Sequence, residues 1–517
     1  MLNLSVLLDD SARTWPDREA VVFGDSRLSY RELDAAANQV ANLLSSRGIK
    51  PGDKVALSCP NVPWFPIAYY GILKAGGVVV PLSILLKRRE ISYHLQDSHA
   101  RAYLCFEDSP DLPMATEGFA GFHDADDCEL FLTITADPAA KSRTPDTENL
   151  GEAMANQPAT FTSAVTETTD TAVVLYTSGT TGRPKGAELT HANLVLNAVT
   201  AHRMLGAHEG AETFLVTVPL FHSFGQTLQM NTAFAGGGTI VLMARFDPAA
   251  AVHILQTETI TQFAGVPTIY HALLAALTDD VDTARIAGNL RGAVSGGAPM
   301  PVELLRRFEA RMGVKVLEGY GLSETSPAVC FTPRDGESRP GSIGKPIWGV
   351  QMKLIDNEWD EIACGPDAIG EIAIKGHPVM KGYLGKPEAT AEAIRDGWFR
   401  TGDLARRDAD GYYYVVDRAK EVIIRGGLNV YPRELEEVLL THPAISLVAV
   451  IGIPHDALGE EVKAVVLKRP GDPTTEGDIV TWAKDKFAAY KYPRVVEFRT
   501  SLPMTASGKI LKRQLSK

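Results

Sequence analysis

Cysteine is scarce in this 517-residue chain: five in all, at Cys59, Cys105, Cys128, Cys330 and Cys364. They are odd in number and far apart, form no C-x-x-C pair and join no Cys/His cluster of zinc-ligand spacing. This excludes a disulfide scaffold and a zinc ribbon, and predicts reduced thiols in a cytoplasmic protein. An excess of positive charge is also missing, since 51 Lys+Arg face 63 Asp+Glu for a net charge of −12. Such a chain repels polyanions, so nucleic acid is not an expected partner. The most apolar stretch, residues 64–82, is broken by Pro66 and Lys74 and ends in a Gly-Gly-Val-Val-Val pattern that reads as a strand, so no membrane span is expected. The first residues lack the basic and apolar regions of a secretory signal.

What is there describes a globular chain of several folding units: 45% hydrophobic and 22% charged residues, with Gly and Pro dispersed. Ser29 and Glu32 form a capping-box pattern, after which Leu33, Ala36, Ala37, Val40, Ala41 and Leu44 recur at helical spacing up to Gly48. Short apolar runs at Val55, Val78, Ala102 and Val173 alternate with helical segments, the pattern of layered α/β structure with buried parallel strands. Between Glu107 and Thr169 the apolar density falls, and the acids from Asp124 to Glu129 read as a solvated surface loop, because no glycine turn or downstream ligand completes a calcium loop. Strand and turn patterns from Gly341 to Val416 predict a small β subdomain. Beyond it, a helix opening at Pro432, strands near Leu447–Ile453 and Val462–Leu467, a helix near Ile479–Phe487 and a strand near Val495–Phe498 make a separate α+β unit. The expected domains are 1–417 and 418–517.

The strongest local signal is Tyr176-Thr177-Ser178-Gly179-Thr180-Thr181-Gly182-Arg183-Pro184-Lys185-Gly186, directly after an apolar strand. Backbone N–H groups, four hydroxyls and a lysine suit phosphate oxygens, but the spacing is not that of a Walker loop, because Gly186 follows Lys185. Taken alone, a Ser/Thr/Gly run is as easily a surface turn. The whole string, however, resembles the nucleotide loop of the adenylate-forming superfamily of acyl-CoA synthetases, luciferases and peptide-synthetase adenylation domains, and further motifs follow in that superfamily's order across nearly the entire chain. The fold that the resemblance implies is α/β: a large multi-layered N-terminal domain, two α/β subdomains plus a small β subdomain, with a small mobile α+β C-terminal domain hinged near Lys420.

The resemblance also implies roles. Ser295-Gly296-Gly297-Ala298-Pro299 looks like the segment against the adenine ring, where Gly297 and Ala298 let a flat base approach. Glu318-Gly319-Tyr320-Gly321-Leu322-Ser323-Glu324 resembles the segment whose tyrosine stacks on adenine, whose hydroxyl (here Ser323, where many relatives carry Thr) contacts phosphate, and whose glutamate holds Mg²⁺ together with Thr177. In Arg400-Thr401-Gly402-Asp403 the aspartate would take both ribose hydroxyls, with Arg418 adding a contact. Lys509, in Pro503-Met504-Thr505-Ala506-Ser507-Gly508-Lys509, would supply positive charge during adenylation. Gly427 would line a pantetheine tunnel for coenzyme A, with Arg425 near a phosphate. His222, in Pro219-Leu220-Phe221-His222-Ser223-Phe224-Gly225, would sit near the reacting carboxylate, although a buried structural histidine fits the same position.

The expected activity is ATP-dependent activation of a carboxylic acid as an acyl adenylate, followed by transfer to CoA. Residues 226–231 and 263–268 resemble fatty acyl-CoA synthetases more than aryl or amino-acid activators, pointing to a medium- or long-chain fatty acid. Two alternatives stay open: a fatty acyl-AMP ligase loading a carrier protein, and a non-catalytic nucleotide or acyl-CoA sensor on the same fold. The absence of a carrier domain after Lys509 favours CoA. A homodimer and peripheral contact with a membrane are left open.

Overall fold

A computed structural model of the chain describes residues 1–177, 183–337, 339–363, 365, 368–506 and 508–515. Ser178, Gly179, Thr180, Thr181 and Gly182 of the hydroxyl-rich loop, with Cys364 and Ser507, lie outside the described residues.

Two large mixed sheets dominate. In the first, eight strands run in the order Gly382–Tyr383, Lys185–Thr190, Thr171–Thr177, Val78–Pro81, Lys54–Ser58, Ala100–Phe106, Leu130–Ile134 and Glu148–Asn149. Its centre is parallel, and its strands are near-continuous apolar runs because helices bury both faces. The second sheet has nine strands, with Val316–Gly321, Gly292–Ser295, Gln262–Gly265 and Thr213–Val216 parallel in its middle. The helix Tyr30–Ser46 starts at the expected capping box, with both reciprocal hydrogen bonds of Ser29 and Glu32 present.

The acid-rich region is more ordered than its composition suggests. A helix, Met114–His123, and a strand, Leu130–Ile134, flank the acids, and Phe119 packs on Phe131 with ring centres 5.1 Å apart. Asp124 pairs with Arg88, Asp127 with His99 and Glu129 with Arg101. Asp126, Asp127 and Glu129 are exposed as a surface loop requires, but Ala125 and Cys128 are buried under it. Among the described residues no cluster of three or more His, Cys, Asp or Glu could hold a metal.

A five-stranded sheet containing Val350–Ile355, Gly370–Gly376 and Trp398–Arg407 forms the small β unit, closed by Tyr413–Arg418. Its side chains join one continuous hydrophobic core that runs from Leu4 to Tyr413. A second sheet of five strands, built on Ile445–His455 and Gly459–Lys468, has cores of its own around Leu435, Val450, Val462 and Ile479 and around Ala449, Val465 and Leu502. The molecule is therefore α/β, with a large N-terminal and a smaller C-terminal domain. No described helix is long and apolar enough to cross a membrane.

Lys74 explains how a charge fits inside the apolar stretch of residues 64–82. It ends the fully buried helix Trp64–Lys74, is 2% exposed, and its ammonium bonds Asp9 at 2.5 Å and Asp34 at 2.7 Å. Removing it leaves two partly buried carboxylates facing one another. Lys74→Ala is expected to lower stability by about 2 kcal/mol, below the range for fully buried pairs because both carboxylates keep some solvent. A urea midpoint unchanged from the parent would contradict this.

Candidate active site

The loop between residues 177 and 185 is anchored by antiparallel pairing of Thr171–Thr177 with Lys185–Thr190, which puts Thr177 opposite Lys185 at the carboxyl edge of the parallel strands. In open α/β sheets that edge is where ligands bind. Gly186 has to be glycine here, since a Cβ would lie 2.6 Å from Val174 Cγ1. The ammonium of Lys185 sits 4.2 Å from the centre of the Tyr383 ring, and the Tyr383 hydroxyl donates to Glu324 Oε1 at 3.1 Å. Burial raises the Glu324 carboxyl above its usual range, opposed by hydrogen bonds from Tyr383 and from the adjacent Thr177 hydroxyl. One carboxylate and one hydroxyl, both hard oxygens, thus stand beside one ammonium group. Ser323, immediately before Glu324, opens the short 3₁₀ turn Ser323–Thr325.

A second group forms around Asp403. Its carboxylate accepts from the Tyr320 hydroxyl at 2.7 Å on one oxygen and pairs with Arg418 at 3.3 Å on the other. The Arg418 pairing follows from the sheet, in which Asp403 and Arg418 are directly opposite. Both oxygens expected to meet ribose hydroxyls are therefore engaged, and a ligand would have to share or displace those bonds. Gly321 admits no side chain, since a Cβ would lie 1.8 Å from the Pro327 carbonyl oxygen, and Gly319 is closed off by Phe331 at 3.0 Å. Gly297 turns with φ +76 and is exposed, and Ala298 beside it is half-buried, leaving an open backbone surface near Phe224. Glu318, in contrast, is buried, accepts from the Gly341 N–H at 3.1 Å, and is pushed up to about 7 by that burial.

The third group surrounds His222. Its Nδ1 accepts from the Phe224 N–H at 3.2 Å, which assigns the ring proton to Nε2. Burial, and then the charge of Lys509, push His222 down to about 4, so it is a neutral imidazole. After it, residues Phe224–Asn231 form a π-helix, a geometry frequent at functional sites. Between this π-helix and the sheet lies a narrow apolar cavity of about 10 Å³, lined by Phe224, Leu228, Phe263, Ala264, Val294 and Gln262. That is room for about one water.

Lys509 reaches this place from the small domain. Its neighbour Gly508 accepts a hydrogen bond from Thr268 Oγ1 at 3.4 Å and presses on Val266, where a Cβ would come within 3.1 Å. Burial, with Arg418 nearby, pushes Lys509 down to about 8. Gly427 lies elsewhere. Gly426 and Gly427, with φ +59 and +79, make the two-residue turn joining Ile423–Arg425 to Leu428–Val430 at an exposed hairpin tip. Arg425 is held by Glu461 in a bidentate pair at 2.7 and 3.0 Å, not free for a phosphate. The structure thus gathers Thr177, Lys185 and Glu324 in one corner, and Tyr320, Asp403, Arg418, Lys509 and His222 in another, and leaves Gly427 outside. Tyr383 was not legible as a site residue; its one signal is an aromatic directly after Gly382 in a turn-rich stretch.

A family model described as AMP-binding enzyme matches residues 8–384, and one described as AMP-binding enzyme C-terminal domain matches residues 434–509. This chain belongs to the AMP-binding enzyme family. The class is that of AMP-forming acid–CoA ligases. A long-chain-fatty-acid–CoA ligase of Bacillus subtilis (strain 168) is 36% identical, with 99% of this chain and 94% of that protein covered. A feruloyl-CoA synthase of an Amycolatopsis species is equally 36% identical, covering 98% and 96%. Among solved structures, ATP-bound MatB of Rhodopseudomonas palustris superposes with a TM-score of 0.89 at 31% identity, covering 100% and 98%, whereas the apo form of the same protein gives 0.79.

For this AMP-binding enzyme the Lys509 ammonium is the sharpest electrostatic feature. Its depressed pKa means that the group loses its charge as pH rises through about 8 rather than near the ordinary lysine range. Competitive labelling of the free protein across pH is expected to give a midpoint near 8 for Lys509, about two units below the surface lysines. A midpoint shared with them would contradict its burial.

Proposed function

We propose that this enzyme joins ATP to a medium- or long-chain fatty acid to give an acyl adenylate and pyrophosphate, then passes the acyl group to the thiol of CoA. The observation that carries the reading is Lys509, brought by the small domain to the side of Asp403, Arg418 and His222. On this reading it would stand where an α-phosphate and a carboxylate meet.

In the first step a carboxylate oxygen bonds to the α-phosphorus, and the bond from that phosphorus to the pyrophosphate oxygen breaks. The attacking acid is already ionised, so no base is needed. Lys185 would hold the outer phosphates and Lys509 the charge that grows on the α-phosphate oxygens, where low dielectric makes one ammonium count heavily. The Tyr320 ring would stack on adenine against Gly297 and Ala298, with Asp403 and Arg418 on the ribose. His222, neutral and carrying its proton on Nε2, would donate to the acid and orient it. Glu324 and Thr177 suit Mg²⁺, since both offer hard oxygens and magnesium needs few protein ligands beside phosphate. When bound, the ion would offset phosphate charge.

In the second step the CoA thiol loses its proton to solvent, its sulfur bonds to the acyl carbon, and AMP leaves with the electron pair of the carbon–oxygen bond. We propose a hinge near Lys420, which would withdraw Lys509 and bring the Gly427 turn to the site. The better match to the ATP-bound than to the apo relative supports reading the present arrangement as the adenylating one. An aryl acid is a second reading, favoured by the equal identity to a feruloyl-CoA synthase and by the small volume of the cavity.

Lys509→Ala is expected to reduce acid-dependent ATP–pyrophosphate exchange about 100- to 1000-fold while thioester formation from supplied acyl adenylate persists. Equal loss of both steps would refute the division of labour. Gly427→Trp is expected to do the reverse, blocking CoA turnover with exchange retained; undiminished thioester formation in that variant would exclude the tunnel.

A further inference from the structure

The apolar cavity beneath the π-helix ends on a polar group. Gln262 opens the strand Gln262–Gly265, is 2% exposed, and stands in one row of the sheet with Phe214 and Gly292. Two residues on, Ala264 stands in a row with Val216 and Val294, and its side chain shares the face of Gln262. Val266, two residues further, lies next to Gly297 and Gly508, close to Lys509. At ~3.3 Å per residue, the four residues from Val266 to Gln262 span about 13 Å.

The orientation of the Gln262 amide is fixed by its neighbour. Its Nε2 donates to Glu212 Oε2 at 3.1 Å. Glu212, fully buried, also accepts from Thr261 Oγ1 at 2.5 Å and from the His208 N–H at 2.9 Å, and pairs with Arg291 at 3.1 Å. Burial pushes its carboxyl up, but these hydrogen bonds and the guanidinium outweigh it and hold the group below the usual range. A carboxylate only accepts, so the amide nitrogen faces it and Oε1 is turned away. Gln262 Oε1 is buried without a hydrogen-bond partner among the described residues. Gly292 leaves the room: a Cβ there would lie 2.4 Å from Oε1. An acceptor in an apolar wall is unfavourable until a donor reaches it.

We propose that Gln262 reads the far end of the substrate, selecting a carboxylic acid whose distal end carries a hydroxyl that donates to Oε1. The inference rests on reading this cavity as the acid site, and it narrows the substrate class there. An ω-hydroxy medium-chain acid and an aryl acid hydroxylated opposite its carboxyl arm supply the same chemistry. A plain chain of the same length leaves Oε1 bare, and a longer one runs into Gln262 and Glu212.

The test uses matched pairs: a medium-chain alkanoate with its ω-hydroxy form, and cinnamate with its para-hydroxy form, followed by pyrophosphate release with ATP and CoA. The hydroxylated member of at least one pair is expected to show kcat/KM about tenfold or more above its partner, and the responding pair identifies the source. Gln262→Leu is expected to reverse that preference. Gly292→Ala, which displaces Oε1 without changing polarity, is expected to diminish it should Gln262→Leu fail to fold. Turnover of both members without discrimination, as a water on Oε1 would give, overturns the inference while leaving acid activation intact. A preference that survives Gln262→Leu overturns it too. No pyrophosphate from any acid would sink both readings.

Discussion

The site depends on a single positive charge held where water is scarce. Lys509 belongs to the small domain, yet its neighbour Gly508 packs on Val266 and Thr268 of the large one, and its charge is felt by His222. Burial works against the ammonium, and the low dielectric that does so also strengthens its attraction for an anion arriving there. The protein therefore holds a cation that is costly without its ligand and most effective with it. His222, kept neutral first by its burial and then by that charge, offers a donor without adding a further cation.

Much of this was legible in the sequence because it rests on local constraints. The capping box at Ser29 was read as such, and Gly319, Gly321, Gly426 and Gly427, singled out by the resemblance, prove to be held by backbone conformation or close approach, requirements that leave fixed residues. What escaped is made by residues distant in the chain. Tyr383 becomes a site residue only because Gly382–Tyr383 pairs with the strand Lys185–Thr190, and Gln262 acquires a fixed amide only because Glu212 faces it from another strand. The acid-rich stretch is a surface loop as read, but the order around it was hidden for a related reason. Asp124, Asp127 and Glu129 are paired with Arg88, His99 and Arg101, which lie 28 to 36 residues earlier, and the helix Met114–His123 beside them has no strong periodic signature.

The junction between the domains is built from the same few residues as the site. Asp403 faces Arg418 on the last strand of the large domain, and the next carboxylate, Asp417, accepts the backbone N–H of Arg418 at 2.7 Å and of Arg433 at 3.0 Å. Arg433 also donates from its side chain to the Val415 carbonyl. The helix Pro432–Leu439 is thus tied to the strand that carries the Asp403 partner, and the placement of that helix is linked to the surroundings of Asp403.

That coupling bears on why one small domain can carry two jobs. Lys509 and Gly427 lie on the same domain, yet one follows a residue docked on Thr268 of the large domain and the other is exposed at a hairpin tip. A rigid body cannot present both at once, and the small domain, with its own cores, can move as one. Under the proposed rotation, the ammonium leaves when the α-phosphate has been captured, removing a group that would otherwise crowd the thiol. The residues nearest the pivot must then tolerate exchange of partners. Arg418 meets this requirement, because its hold on Asp403 is one contact at 3.3 Å on a carboxylate already bound by Tyr320.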